Sequence, residues 1–292
     1  MDFLRPASWS EALAAKAAYP AAVPLLGGTD VLVELNFDLR RPEVLLDLTR
    51  VGELGEWAPA GDRLRVGAGV TYTRLITELG DRLPGLAMAA RTVGSPQIRN
   101  RGTVGGNLGA ASPAGDSHPP LLADDAVVEA HSVRGVRHIP ITEFYQGVKR
   151  NALAPDELIA GFRVRPATGP QQFAKIGTRN AMVISVTALA LSLRPEHGEV
   201  GVGFGSAAPT PRRAAAAERF LSEELTATGH WESRSALDPA VVERFGQLVA
   251  AAATPIDDVR GTAEYRRHAL SVLARRTLAW AWKDYVRERK AA

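Results

Sequence analysis

The first clear pattern of apolar and polar positions covers Ser8–Tyr19. It reads as a helix, because Ser8 with Glu11 makes a capping box at its start. Pro20 stops that helix. Short apolar runs at Val23–Leu26, Val44–Asp47 and Leu64–Val66 predict strands, separated by turns rich in Gly, Asp and Pro. Thr73–Leu79 and Leu86–Thr92 predict helices. The stretch Val93–Pro120 then shows neither period and holds six glycines and four prolines. An unpatterned segment of that length inside a compact domain is usually functional. Strands are predicted again at Ala126–Ala130, Val136–Ile139, Leu158–Val164 and Phe173–Ile176, with a turn at Arg134–Gly135. Pro166–Pro170 is the linker candidate. Beyond it come apolar runs at Ile184–Leu193 and Val200–Phe204. A helix is predicted to start at Thr210–Pro211, and two more cover about Pro239–Ala252 and Thr262–Arg287. This order predicts an α+β chain with two domains, spanning 1–170 and 171–292.

Composition narrows the chemistry. The 292 residues are 46% hydrophobic and 23% charged, a globular balance. No cysteine is present, which removes disulfides, thiolate-held metals, thiolate-held iron–sulfur clusters and a cysteine nucleophile. The net charge is +3; five of the 35 basic residues are lysine and the rest arginine. Arg212–Arg213, Arg266–Arg267 and Arg275–Arg276 are pairs on expected helices and form no phosphate track, so nucleic-acid binding is not expected. No run approaches the length of a membrane span, and MDFLRPASWSEAL lacks the basic and apolar regions of a signal peptide. A cytoplasmic location is expected.

Two glycine-rich loops are the candidate chemistry. The first, Leu25-Leu26-Gly27-Gly28-Thr29-Asp30-Val31-Leu32, lies between an expected strand and an expected helix. Taken alone it reads first as a plain turn, and second as a cradle of backbone N–H groups for a pyrophosphate. The second runs from Gln97 through Thr103-Val104-Gly105-Gly106-Asn107 to Ser112 and Asp116. It gathers hydroxyls, an amide and a carboxylate of the kind that bind phosphate and ribose or ribityl groups, and its plainer reading is a long surface loop. A polar element, Lys175-Ile176-Gly177-Thr178-Arg179-Asn180, reads equally as a solvated turn or as a cation meeting an anionic ring. No P-loop, H-E-x-x-H or G-x-S-x-G is present. Gly201-Val202-Gly203-Phe204-Gly205-Ser206 lacks the third glycine of a dinucleotide fingerprint and reads as a glycine-rich strand. The six histidines show no ligand spacing; His118 stands out only because it lies in the second loop.

Leu26-Gly27-Gly28-Thr29-Asp30, the run Gly94 to Asn107, Ala111-Ser112-Pro113 to Asp116 and Lys175-Ile176-Gly177-Thr178-Arg179 occur in one order. Together they resemble the FAD-binding medium subunit of the xanthine dehydrogenase/carbon monoxide dehydrogenase family of molybdenum hydroxylases. Gly205–Arg212 and Pro255–Arg266 look like that family's C-terminal domain. The resemblance implies a two-lobed FAD domain of the PCMH/vanillyl-alcohol-oxidase type, with lobes at about 1–55 and 56–170, followed by a smaller α+β domain. FAD would lie between the lobes. Leu25, Leu26, Gly27, Gly28, Thr29, Asp30, Val31 and Leu32 would wrap its pyrophosphate, with Thr103, Gly105, Gly106 and Asn107 opposite. Val93, Ser112, Asp116, Ile159 and Lys175 would complete the cofactor site. Valine at Gly106 is expected to abolish FAD retention by filling phosphate space and disfavouring positive φ.

The resemblance further implies partners: a large subunit with the molybdenum cofactor and a small one with two [2Fe–2S] clusters, in a heterotrimer that can dimerise. Electrons would pass through FAD to NAD, O₂ or another acceptor. Gly27-Gly28-Thr29-Asp30 is closer to xanthine dehydrogenase-like members than to carbon monoxide dehydrogenase, whose loop typically has His-Ser there, so xanthine or hypoxanthine is the expected substrate of the complex. The alternatives are action on another N-heterocycle, an aldehyde or CO, a stand-alone FAD oxidoreductase, and a scaffold that has lost FAD.

Overall fold

The computed structural model describes residues 1–291, with side chains described to Arg287; Ala292, the last residue of the expected second domain, lies outside them. The chain divides into two compact units. One comprises Met1–Glu78, Val93–Ser112 and Ala126–Arg165; the other comprises Leu79–Thr92, Pro113–Asp125 and Pro166–Ala292.

In the first unit, β1 (Asp2–Leu4), β2 (Val23–Leu25) and β3 (Val44–Asp47) form a parallel sheet in the order β1-β3-β2. Helix α1 (Trp9–Ala18) links the first two strands. Ser8 Oγ accepts from the Glu11 N–H, while the Glu11 carboxylate accepts from the N–H of Ala7 at 2.8 Å, one residue earlier than a standard capping box. Ala12, Leu46, Leu48 and Leu54 pack there with Ala68 and Leu158. A second sheet is antiparallel and takes β4 (Trp57–Ala60), β5 (Arg63–Gly67), β6 (Val127–Ser132), β7 (Gly135–Pro140) and β10 (Leu158–Val164) in the order β4-β5-β10-β6-β7. A small hairpin joins β8 (Tyr145–Gly147) to β9 (Arg150–Asn151). Helices α2 (Val31–Asn36), α3 (Tyr72–Glu78), α5 (Pro96–Arg99), α6 (Val104–Ala110) and α8 (Ile141–Phe144) complete this unit.

The second unit is a sheet covered on both faces. Its strands are β11 (Gln171–Ile176), β12 (Thr187–Arg194), β13 (Glu199–Gly205) and β14 (Arg212–Arg213), in that order. Every residue of β12 is buried. Leu189, Leu191, Leu193 and Phe204 pack with α9 (Ala215–Ala227), α11 (Pro239–Ala251) and α12 (Ala263–Ala291), near the short α10 (His230–Ser233). Ala188, Ala190 and Phe173 on the other face meet Ala89 of α4 (Pro84–Thr92) and Ala123 of α7 (His118–Ala123). The glycine run is a strand for a steric reason. Glycines at spacing two share one face, and a Cβ at Gly201 or Gly203 would overlap the carbonyl oxygens of Ala123 or Pro119 in α7.

Three expectations change. Val93–Pro120 is not structureless: it holds α5, α6 and the first residues of α7. Caps at Ser95 and Thr103 start α5 and α6, but four and seven residues are too few to display a period. The helix expected from Thr210–Pro211 begins at Ala215, because Arg212–Arg213 pair with β13 and Arg213 forms ion pairs with Asp125 and Glu218. β1 and β4 carried no readable signal, being three and four residues long.

Candidate functional site

The two glycine loops meet in the first unit. Leu25 ends β2, its carbonyl accepting from Leu48 N–H at 2.9 Å, and Leu26 packs on the core beneath. A Cβ at Gly27 would overlap the carbonyl oxygen of Arg101 and lie 3.1 Å from Cα of Gly102, so the first loop rests on the backbone of the second. Gly28 turns at φ +75, where an L side chain is strained. Thr29 and Asp30 lead into α2, which contains Val31 and the half-exposed Leu32; Asp30 caps it without a side-chain bond.

The second loop is anchored as firmly. The Tyr72 N–H donates to the Gly102 carbonyl at 2.9 Å. Thr103 is the extended N-cap of α6, its Oγ1 accepting from Gly106 N–H at 2.9 Å, and Asn107 N–H donates to the Thr103 carbonyl. A Cβ on Gly105 would stand 2.5 Å from Cα of Ala68, whereas one on Gly106 would meet only Thr103 Oγ1, at 3.1 Å. Gly106 is helical rather than at positive φ, so the conformational half of the argument for valine there falls and only the steric half remains. Among the described residues, the main-chain N–H groups of Gly27, Gly28, Thr29, Asp30, Val104 and Gly105 meet no protein acceptor. These donors, on two loops in contact, suit the oxygens of a diphosphate without a flanking cation. Ile159 Cδ1 lies 3.8 Å from the Cβ position of Gly109 on α6. The Val93 carbonyl accepts from Arg99, and Ser112 follows the left-handed Ala111.

The second unit holds a charged cluster of its own. Lys175 Nζ lies 2.5 Å from Asp116 Oδ2 and also donates to the carbonyls of Thr92 and Val183, each at 3.1 Å. The Thr92 hydroxyl donates to the same Asp116 oxygen at 2.9 Å. Asp116 Oδ1 is buried and accepts nothing, which suits it to receive a ligand hydroxyl. Burial pushes the Asp116 carboxyl above its ordinary range, against the opposing pull of Lys175 and Thr92. Val183 was invisible in the sequence because it acts through its carbonyl, and Thr92 because it closes an expected helix 24 positions before Asp116. His118 is fully buried at the start of α7.

Residues 1–166 match the family model described as the FAD-binding domain in molybdopterin dehydrogenase, and residues 172–281 match the CO dehydrogenase flavoprotein C-terminal domain. The chain belongs to this flavoprotein family. Its cofactor is FAD, and it is the flavin-carrying subunit of an oxidoreductase. This flavoprotein subunit is 33% identical to the xanthine dehydrogenase FAD-binding subunit of Escherichia coli O157:H7 over 290 residues, covering 96% of this chain and 95% of the relative. It is 32% identical to the nicotine 6-hydroxylase medium subunit of Paenarthrobacter nicotinovorans, covering 88% of each. A chain of the carbon monoxide dehydrogenase from Hydrogenophaga pseudoflava superposes with a TM-score of 0.88 at 28% identity, covering 97% of this chain and 98% of that one. Among the described residues of the flavoprotein subunit, no helix is long and apolar enough to cross a membrane.

Proposed function

We propose that this chain takes electrons from [2Fe–2S] clusters on a small partner subunit and delivers them to NAD or another acceptor. The complex would also contain a molybdenum-cofactor subunit and would oxidise xanthine or hypoxanthine. The contact of the two glycine loops, with six main-chain donors left over, carries the cofactor part of this reading. Gly27, Gly28, Thr29, Asp30, Val104 and Gly105 would bind the diphosphate through backbone N–H groups. Thr103 fixes α6 by capping it, and Asp116 Oδ1 would accept a hydroxyl of the cofactor's polar chain. Lys175 and Thr92 hold Asp116 in place. When bound, FAD supplies the redox chemistry, coupling one-electron and two-electron steps. Neither unit supplies a thiolate, so the clusters belong to another chain.

Similarity to a xanthine dehydrogenase subunit along 96% of the chain supports the purine reading. Similarity to a nicotine 6-hydroxylase subunit supports a second, oxidation of another N-heterocycle. Purification of the complex from its host, followed by assays with xanthine, hypoxanthine and nicotine against NAD, separates them. Xanthine- or hypoxanthine-dependent NAD reduction by a preparation containing molybdenum, iron and FAD is expected. Turnover with nicotine alone would replace the purine reading, and full activity without molybdenum or iron would refute the subunit reading. A colourless chain that cannot be reconstituted with FAD would refute the cofactor assignments.

A further inference from the structure

Strand β5 begins Arg63-Leu64-Arg65-Val66, and β10 ends Phe162-Arg163-Val164. Leu64, Val66, Phe162 and Val164 are buried, so alternation turns the arginines to the opposite face of the sheet. The register sets Arg163 directly across from Arg65. Like charges in that arrangement weaken a sheet unless something compensates them. Glu129, on the neighbouring β6, does so. It is almost wholly buried, and its two oxygens accept from Arg65 Nε at 2.7 Å and from Arg163 Nε at 2.6 Å. The two guanidinium groups hold its carboxyl below the usual range against the effect of burial. His138 Nε2 stands 3.9 Å away on β7.

The bonding leaves a residue of unused capacity. Each arginine engages Glu129 through Nε alone, and among the described residues the terminal nitrogens of Arg65 and Arg163 form no further bond. Both side chains remain about a third exposed, 30% and 38%. A guanidinium's two terminal N–H groups form a planar fork that fits a carboxylate bidentately. Here two such forks are pre-oriented by one buried anion, so little rotamer freedom is lost when they bind. They carry one more positive charge than Glu129 cancels. Arg65 lies beside the exposed Ala58 of the edge strand β4, and a partly exposed sheet surface offers area to a protein rather than enclosure to a small anion.

We propose that Arg65 and Arg163, held by Glu129, form a docking point for the carboxylates of an acidic segment on a partner subunit. The proposal rests on the reading of this chain as one subunit of a larger complex. Removing the arginines alone would strand the buried Glu129, so the decisive variant replaces all three charges: Arg65→Gln, Glu129→Gln and Arg163→Gln together. The complex is assembled by co-expression, and dissociation of this chain from its partners is measured against salt, with FAD content as the measure of an intact fold. The triple variant is expected to keep wild-type FAD content, to bind its partners about tenfold or more weakly, and to lose part of the salt dependence. Arg65→Lys with Arg163→Lys keeps charge but not the forks and should lie between. Equal affinity and salt dependence for wild type and triple variant would overturn the docking point while leaving the subunit reading intact. Absence of any complex with the wild-type chain would instead overturn the subunit reading. Binding of a duplex oligonucleotide abolished by the triple variant, with partner affinity unchanged, would reassign the arginines to a nucleic acid and overturn the proposal.

Discussion

The glycine loops and the Thr92–Asp116–Lys175 cluster are built on opposite principles. The loops in the first unit are made by removing side chains. Gly27 and Gly105 let backbone approach backbone or Ala68, Gly28 permits a left-handed turn, and Gly106 keeps space clear above Thr103. No charge is needed, because oriented N–H dipoles supply the positive potential. The cluster in the second unit is made by adding charges where water is scarce and cancelling them locally. A steric cradle fails when something is put in, and a buried ion cluster fails when something is taken out.

That contrast orders the expected effects. The largest belongs to the cluster. Lys175→Met leaves Asp116 buried beside no cation, which costs about 3–5 kcal/mol. Denaturant unfolding should register this, and adding Asp116→Asn should recover much of it; an undiminished midpoint in the single variant would mean that Lys175 does not compensate Asp116. Next come the packing glycines. Gly27→Ala and Gly105→Ala each drive a methyl group into rigid neighbours, and overpacking of this kind costs about 1–3 kcal/mol. Gly28→Ala meets only the flexible end of Leu32 and should cost about 1–2 kcal/mol, mainly through its φ of +75.

A weaker effect concerns pH. The folded-state carboxyl of Asp116 titrates above its unfolded value of 3.8, so the folded chain holds this proton more tightly than the unfolded one. Its contribution to stability is therefore full below 3.8 and is lost as pH rises through the folded value. Glu129 has the opposite sign: its contribution is present above 4.5 and disappears as pH falls through its lowered folded value. Asp116→Asn should flatten the first slope and leave the second in place; identical profiles for variant and wild type would contradict the assignment.

Gly106→Val is expected to change stability least, by about 1 kcal/mol or less, since only Thr103 Oγ1 must yield. FAD retention should nevertheless fall sharply, because the added methyl groups fill space beside the free donors. Stability and FAD content thus separate here, whereas Gly105→Ala should lower both. Stoichiometric FAD in the valine variant would move the diphosphate away from α6.

Much of this molecule is legible in its sequence where the cause is local. Ser8 caps α1, Thr103 caps α6, and the spacing of Gly201, Gly203 and Gly205 marks a strand whose one face is bare. Gly27-Gly28 and Gly105-Gly106 announce loops that approach something closely. The sequence does not say which glycine of each pair serves packing and which serves access, since that depends on Arg101 and Ala68 elsewhere in the chain. Helices of four to seven residues inside Val93–Pro120 escaped because one or two turns are too few to repeat a 3.6-residue period.

By itself the sequence determined the chemistry available: no thiolate, two glycine loops, and a polar element from Lys175 to Asn180. Tertiary structure alone decided the pairings. It set Lys175 against Asp116, 59 positions away, and brought Glu129 between Arg65 and Arg163 from a third strand. Local conformation follows from each residue's own sterics and hydrogen bonds, but charge compensation follows from proximity, and proximity between distant segments exists only once the sheets and helices have packed.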